Sequence, residues 1–237
     1  MNIIGIDPSI SGTGMCINGK MFSFSYNHKA YTKSGNYTKW FELADHVVNF
    51  RFHDQVHKTK NYEDEQLFKL VSYTNVVDRI MEDIFTNIDP NKDTYIGIEG
   101  YSFASMAGNL IDLVTFSTLL RDRINQANFK LVVVSPLSLK KESCIMCYEP
   151  VKIEKGVRVK KIILEHRNNE GIAGGNFKKP EMMKACIEND NWKDDAWVKH
   201  LKSVNGDITG SKIPHPHEDL TDAYLLHRYI KERYLKI

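Results

Sequence analysis

Two short apolar runs constrain this chain more than any other feature: "NIIGID" at residues 2–7 and "TYIGIEG" at residues 94–100. Both are rich in Ile, lack polar alternation and are bounded by turn-forming residues, the pattern of a strand buried on both faces. Each also carries a carboxylate at its end, Asp7 and Glu99, with small or polar residues directly after it. An acid after a strand is ordinarily a turn residue, so either alone says little. In open α/β sheets, however, ligands gather beyond the C-terminal ends of the strands. Two central strands ending in acids therefore point to one rim of one sheet.

The remaining pattern supplies the rest of the sheet. "TGMCINGKMFSFSY" reads as two strands joined at Asn18-Gly19, a strong hairpin signal. "KWFELADHVVNFRFH" (39–53) reads as a further strand with an irregular start. Between Glu63 and Ile88, Leu67, Leu70, Val71, Val77, Ile80, Met81 and Ile84 recur at helical spacing, and Asp89-Pro90 ends the run. A second helix is expected over 107–127, with Leu110, Leu113, Val114, Ser117, Leu120 and Ile124 on one stripe. "FKLVVVSP" is another buried strand, stopped by Pro136. The order is mixed α/β with a largely parallel second half.

Beyond residue 138 the pattern weakens. "PVKIEKGVRVKKIIL" places a Gly turn between two basic, alternating segments, as a hairpin would. Lys152, Lys155, Arg158, Lys160 and Lys161 cluster there, and such a ribbon suits phosphate contacts that position a duplex without reading its sequence. A Gly-rich loop then opens a helix at Pro180. Residues 191–213 are polar and poorly patterned, and a last helix is expected over 218–236. At 237 residues and 42% hydrophobic content, the expectation is a single domain over 1–237, with an insertion at about 144–212.

Net charge is only +2, so nucleic-acid binding would need a local patch rather than a global field. No stretch approaches the roughly 18 apolar residues of a membrane span. The start, "MNIIGID", has no signal-peptide pattern, and four cysteines are too few for a disulfide framework. Together these lead us to expect no membrane partner and a reducing cytoplasm.

The third acidic feature is "HPHEDLTDAYLLHRY". Asp219 and Asp222 are spaced i,i+3 and share a helix face, with Ala223, Leu226 and Ile230 continuing on the inward side. Acids in a first helical turn are also favoured by the macrodipole, so the pair gains meaning only beside Asp7 and Glu99. Four converging carboxylates repel one another unless a cation is present. Hard oxygen donors favour Mg²⁺, with Mn²⁺ able to substitute, and two such ions serve phosphodiester hydrolysis. His215 and His217 flank the last acids, and of the two His217 is the one expected to assist a metal or shuttle protons. "CIMC" (Cys144, Cys147) is half of a zinc pattern that His166 and Cys186 would have to complete.

Assembled, "IGIDPSISGTG", "IGIEGYSF", "SPLSLKK", "NFKKPEM" and "EDLTDAYLL" resemble the RuvC family of Holliday-junction resolvases, within the RNase H-like superfamily, and in particular its bacteriophage members. The resemblance implies an α/β RNase H-like fold: a mixed five-stranded sheet flanked by helices, here with an inserted basic hairpin. It implies Asp7, Glu99, Asp219 and Asp222 as metal-binding catalytic acids and Lys179 as a catalytic lysine. Lys140, Lys141, Lys178 and Lys179 would contact DNA. In place of the family's lone aromatic wedge, Ser102 is flanked by Tyr101 and Phe103, either able to stack on a base. Ser9 stands where the family's Asp-Pro is usually followed by Gly. The implied partners are a four-way DNA junction and a second copy of the chain, dimerising through the helix after Glu99. Alternatives are a nuclease of the same fold acting on flaps or RNA, a non-catalytic junction binder and an actin-like ATPase.

Overall fold

The computed structural model describes residues 1–26, 35–54, 61–101, 107–156, 161–208 and 212–237. Its centre is a six-stranded mixed sheet in the order β4-β3-β2-β1-β5-β6. The strands are β1 (Asn2–Asp7), β2 (Gly12–Ile17), β3 (Lys20–Tyr26), β4 (Val48–His53), β5 (Thr94–Glu99) and β6 (Lys130–Val134). β1, β2 and β3 run antiparallel in sequence, while β4, β5 and β6 each pair in parallel with their neighbour. The architecture is mixed α/β, as expected, with six strands rather than five.

Local chemistry explains the hairpin. Asn18 (φ 49°) and Gly19 (φ 89°) both occupy the left-handed region, which a tight β2–β3 turn demands. The segment 39–53 departs from expectation. Its first part completes helix α1 (Gly35–Ala44), and only Val48–His53 is strand. Phe41 is buried and lies against Phe50 and Phe52, so its aromatic content packs the helix on the strand instead of extending the strand.

Helices cover both faces. On one side lie α2 (Tyr62–Asn87) and α3 (Ala107–Gln126), packed on Ile4, Ile6, Met15, Ile17, Ile96 and Ile98. α2 buries Val77, Ile80, Met81 and Ile84 as expected, but Leu67, Leu70 and Val71 are exposed. A 26-residue helix is about 39 Å long, roughly twice a six-residue strand, so its first half overhangs the sheet.

On the other side lie α4 (Pro136–Cys147), α5 (Lys179–Glu188), α6 (Ala196–Val204) and α7 (His217–Arg228), around Trp192, Trp197 and Tyr224. Within 144–212, β7 (Pro150–Lys155) and β8 (Lys161–His166) pair antiparallel, as the two arms of the expected hairpin would. The stretch expected to be unpatterned contains α6, whose Trp197, Val198, Leu201 and Val204 are buried. After Arg228 the chain continues as a wider π-type turn over Tyr229–Tyr234. Among the described residues no helix is long and apolar enough to cross a membrane.

Candidate metal centre

Strand alternation decides which side chains meet. Along β1, Ile4 and Ile6 face α2 and α3, which turns Gly5 and Asp7 to the α7 side. Along β5, Ile96 and Ile98 take the first face and Gly97 and Glu99 the second. The strands are parallel and in register through Ile6–Ile98, so Asp7 and Glu99 emerge side by side, one residue further on.

α7 brings the remaining acids because glycines let it come unusually close. A Cβ on Gly5 would lie 2.1 Å from the carbonyl oxygen of Ala223, and one on Gly14 2.3 Å from that of Asp219. No side chain fits at either position, so backbone meets backbone and the first turns of α7 are pressed against the end of β1. The turn after Asp7 is closed by Thr13, whose hydroxyl donates to the Ser9 carbonyl (2.7 Å) and accepts from the Ser9 amide (3.2 Å). Ser9 in place of the usual Gly is therefore accommodated.

Asp7, Glu99 and Asp222 offer carboxylate oxygens that all lie within 4.8 Å of one another. Asp222 is 1% exposed; its Oδ2 accepts from Lys179, and its Oδ1 has no partner among the described residues. Burial and the charge of Glu99 hold the Asp7 carboxyl well above the ordinary carboxylate range. Burial and Asp222 raise Glu99. Burial pushes Asp222 up to about 7, with Asp7 adding to the rise and Lys179 opposing it. Burial alone would lower Lys179, but the charges of Asp222 and Asp7 outweigh it and keep the amine firmly protonated. An oxygen-only donor set, buried, mutually repelling and with one oxygen unpaired, fits a hard divalent cation.

The fourth expected acid is placed differently. Asp219 stands outside the triad, its Oδ2 held 2.6 Å from His215 Nδ1. It still lines the same cleft, about 170 Å³, with Asp7, Pro8, Glu99, Gly100, Tyr101, Leu113, Lys179 and Glu218. His217, expected beside the acids, is fully buried. Its Nε2 lies 2.9 Å from His200 Nε2, and its ring packs on Trp197. The histidine at the acids is His215.

Tyr101 sits at the cleft under the guanidinium of Arg121 (4.4 Å). Lys140 is close enough to Glu99 to oppose the rise in its pKa. Lys178 is exposed at the start of α5, and Lys141 is exposed on α4. Lys152 and Lys155 are exposed on β7, Lys155 paired with Glu165, and Lys161 opens β8 opposite Lys155. Phe103, Arg158 and Lys160 lie outside the described residues. The zinc half-pattern finds no partners. Cys147 accepts from Asn189, His166 Nδ1 contacts the Tyr148 carbonyl, and the acid triad is the sole metal-capable cluster among the described residues.

Two site residues escaped the sequence reading. Glu218 lines the cleft and lies 3.5 Å from Lys179. Arg121, in the last two turns of α3, braces Tyr101. Glu218 is i,i+4 to Asp222, so helical spacing carried a signal for it, whereas no motif marked Arg121.

No protein-family model matches the chain, and no curated protein matches it. Among solved structures the chain is similar to Thermus thermophilus RuvC, at 12% identity over 97% of this chain and 95% of that one, with a TM-score of 0.39. It is also similar to T. thermophilus RuvC in complex with a Holliday junction substrate, at 11% identity over 97% and 94% of the two chains, with a TM-score of 0.38.

Proposed function

We propose that the chain is a metal-dependent endonuclease that cuts branched DNA, with the four-way junction as its preferred substrate. The observation that carries this reading is the buried triad Asp7, Glu99 and Asp222, with its unpaired Asp222 oxygen, at the rim of the sheet. These three residues would hold Mg²⁺ or Mn²⁺, and Asp219 would join from the opposite wall of the cleft. When bound, such ions supply charge neutralisation at a phosphodiester and a more acidic water.

The chain's own contribution is positioning. Lys179, protonated and directed into the cleft, would bind a non-bridging phosphate oxygen and offset charge that grows as the bond breaks. Lys140 stands next to Glu99 and would grip a neighbouring phosphate. Tyr101, braced by Arg121, would offer a flat face to an unpaired base. Lys141, Lys152, Lys155, Lys161 and Lys178 would hold duplex arms through phosphates. Two copies of the chain would place two such clefts on one junction.

The test is a panel of synthetic substrates with Mg²⁺, Mn²⁺ or EDTA: a four-way junction, a flap, a duplex and an RNA–DNA hybrid. The expected result is paired nicks in the junction, bearing 5′-phosphates, only when the metal is present. Cleavage of the hybrid or flap alone would redirect the substrate assignment. No metal-dependent cleavage of any substrate would refute the nuclease reading.

A further inference from the structure

The β7–β8 ribbon is set apart from the rest of the chain. Neither strand joins the six-stranded sheet, and among the described residues neither adds a side chain to either hydrophobic core. Yet β8 carries three consecutive aliphatics, Ile162, Ile163 and Leu164. Ile162 is 75% exposed and Leu164 67%, both on the face that Lys152 and Glu154 occupy on β7. Ile163 and Val151 share the opposite face with Lys155 and Glu165, which pair with each other. Residues 150–166 hold five Lys or Arg and two Glu, a net +3, whereas the whole chain nets +2 and the remainder therefore −1. Positive charge and exposed apolar surface are thus concentrated on one ribbon. Its base is tied to the far end of α5: the Tyr148 hydroxyl donates to Glu188 (2.8 Å), and His166 Nδ1 lies 2.6 Å from the Tyr148 carbonyl. α5 begins at Lys179 in the cleft and runs about 15 Å to Glu188, so the ribbon is rooted outside the cleft.

We propose that this ribbon lies in the minor groove of a duplex arm and wedges Ile162 and Leu164 against the base stack, opening a step and bending the arm. The inference rests on the nuclease reading and adds a specificity device to it. Four aliphatic side chains fall far short of the roughly 20–30 residues a side that a stable protein interface uses. One or two are what minor-groove proteins insert at a kinked step, with Lys and Arg meeting the phosphates around it. Ile162 and Leu164, two residues apart on one strand, stand about 6.8 Å apart, the rise of two base steps at ~3.4 Å each. Opening a step costs least at flexible pyrimidine–purine steps and most in stiff A-tracts. The wedge therefore gives the chain a preference among arm sequences without a hydrogen bond to any base.

The test uses the full chain, bound in EDTA to four-way junctions that carry 2-aminopurine at successive arm positions, with TA steps or an A-tract in the arms. Wild type should raise the fluorescence of an arm position as its step unstacks, and should bind the TA junction about tenfold more tightly than the A-tract one. Ile162→Ser/Leu164→Ser should melt as wild type does, keep the salt dependence of binding, and lose both the fluorescence rise and the preference. Lys152→Gln should show the converse, a shallower salt dependence with the rise kept at saturation. Wild-type fluorescence unchanged on binding, or a rise that survives in the double serine variant, overturns the wedge. So does a double variant that changes only self-association in sedimentation, which would assign the face to a second copy. Wild type that cuts junctions with Mg²⁺ but gives no rise sinks the wedge alone, whereas wild type that neither binds nor cuts removes the nuclease reading with it.

Discussion

At the scale of single residues, the acids at the rim work against folding. Asp222 has its pKa raised to about 7 by burial. The folded state therefore holds more protons than the unfolded state between about pH 4 and 7, and stability is lost as pH rises through that window. In EDTA, Asp222→Asn removes the loss. Thermal melts should show the variant matching wild type near pH 4 and exceeding it by several degrees at pH 8. Equal melting temperatures at pH 8 would mean the carboxylate is not strained in the fold. Lys179 has the opposite status, as a cation secured by the acids around it. Lys179→Met should lower junction cleavage on the order of 10²-fold while leaving junction binding within a few-fold, as loss of one charge-stabilising donor does. Single-turnover rates beside gel-shift affinities would separate the two effects. The residue scale was also the most legible in the sequence. Asp7, Glu99, Asp219 and Lys179 line one cleft, and Asp222 meets Asp7, Glu99 and Lys179 behind it, because strand ends and i,i+3 spacing are local patterns. The partner of Asp219 was not legible. His215 and His217 are equivalent by spacing, and only the packing of Trp197 and His200 decides that His217 turns inward.

At the scale of elements, the contact between α7 and the sheet sets where the acids go. Gly5→Ala would drive a methyl group into the Ala223 carbonyl, where the obstacle is backbone and cannot swing aside. The expected cost is about 1–3 kcal/mol or more, seen in urea denaturation, with cleavage falling disproportionately because Asp222 shifts. Unchanged stability would show that α7 rides further from β1. The β7–β8 hairpin offers the contrary case. Lys152 is exposed there, so Lys152→Glu should leave melting unchanged. It should weaken junction binding and make the salt dependence shallower by about one unit of slope for each phosphate that is no longer neutralised. Element type was legible wherever a periodic pattern ran long enough, as in α2, β5 and the two hairpins. It failed where context decided. Trp40 and Phe41 have strand propensity yet sit in α1, because the helix rests on Phe50 and Phe52 of β4. α6 is nine residues in a polar stretch, and its apolar stripe was too short to stand out.

At the scale of the whole molecule, a six-stranded sheet with helices on both faces carries the acids at the C-terminal ends of its central strands β1 and β5. Metal binding and folding should therefore be linked. A divalent ion that binds only the folded chain at about 100 times its dissociation constant adds about 2.7 kcal/mol, or roughly 5–10 °C for a chain this size. The increment should grow as pH rises towards 8, because the ligands must be deprotonated. Thermal melts with and without Mn²⁺ at pH 5.5 and pH 8 would read it, and a larger increment at the lower pH would contradict the linkage. The mixed α/β plan was readable from the succession of strand and helix patterns along the chain. β4 was readable too, as the end of the segment 39–53, whereas the five-strand count that the resemblance implied is one short.

The central claim is that Asp7, Glu99 and Asp222 together hold a divalent cation. Anomalous diffraction from crystals soaked in Mn²⁺ tests it most directly. The account predicts a manganese peak at ordinary ligand distance from oxygens of all three carboxylates, absent from Asp222→Asn crystals treated the same way. Bound manganese elsewhere on the chain, with these three carboxylates bare, would contradict it.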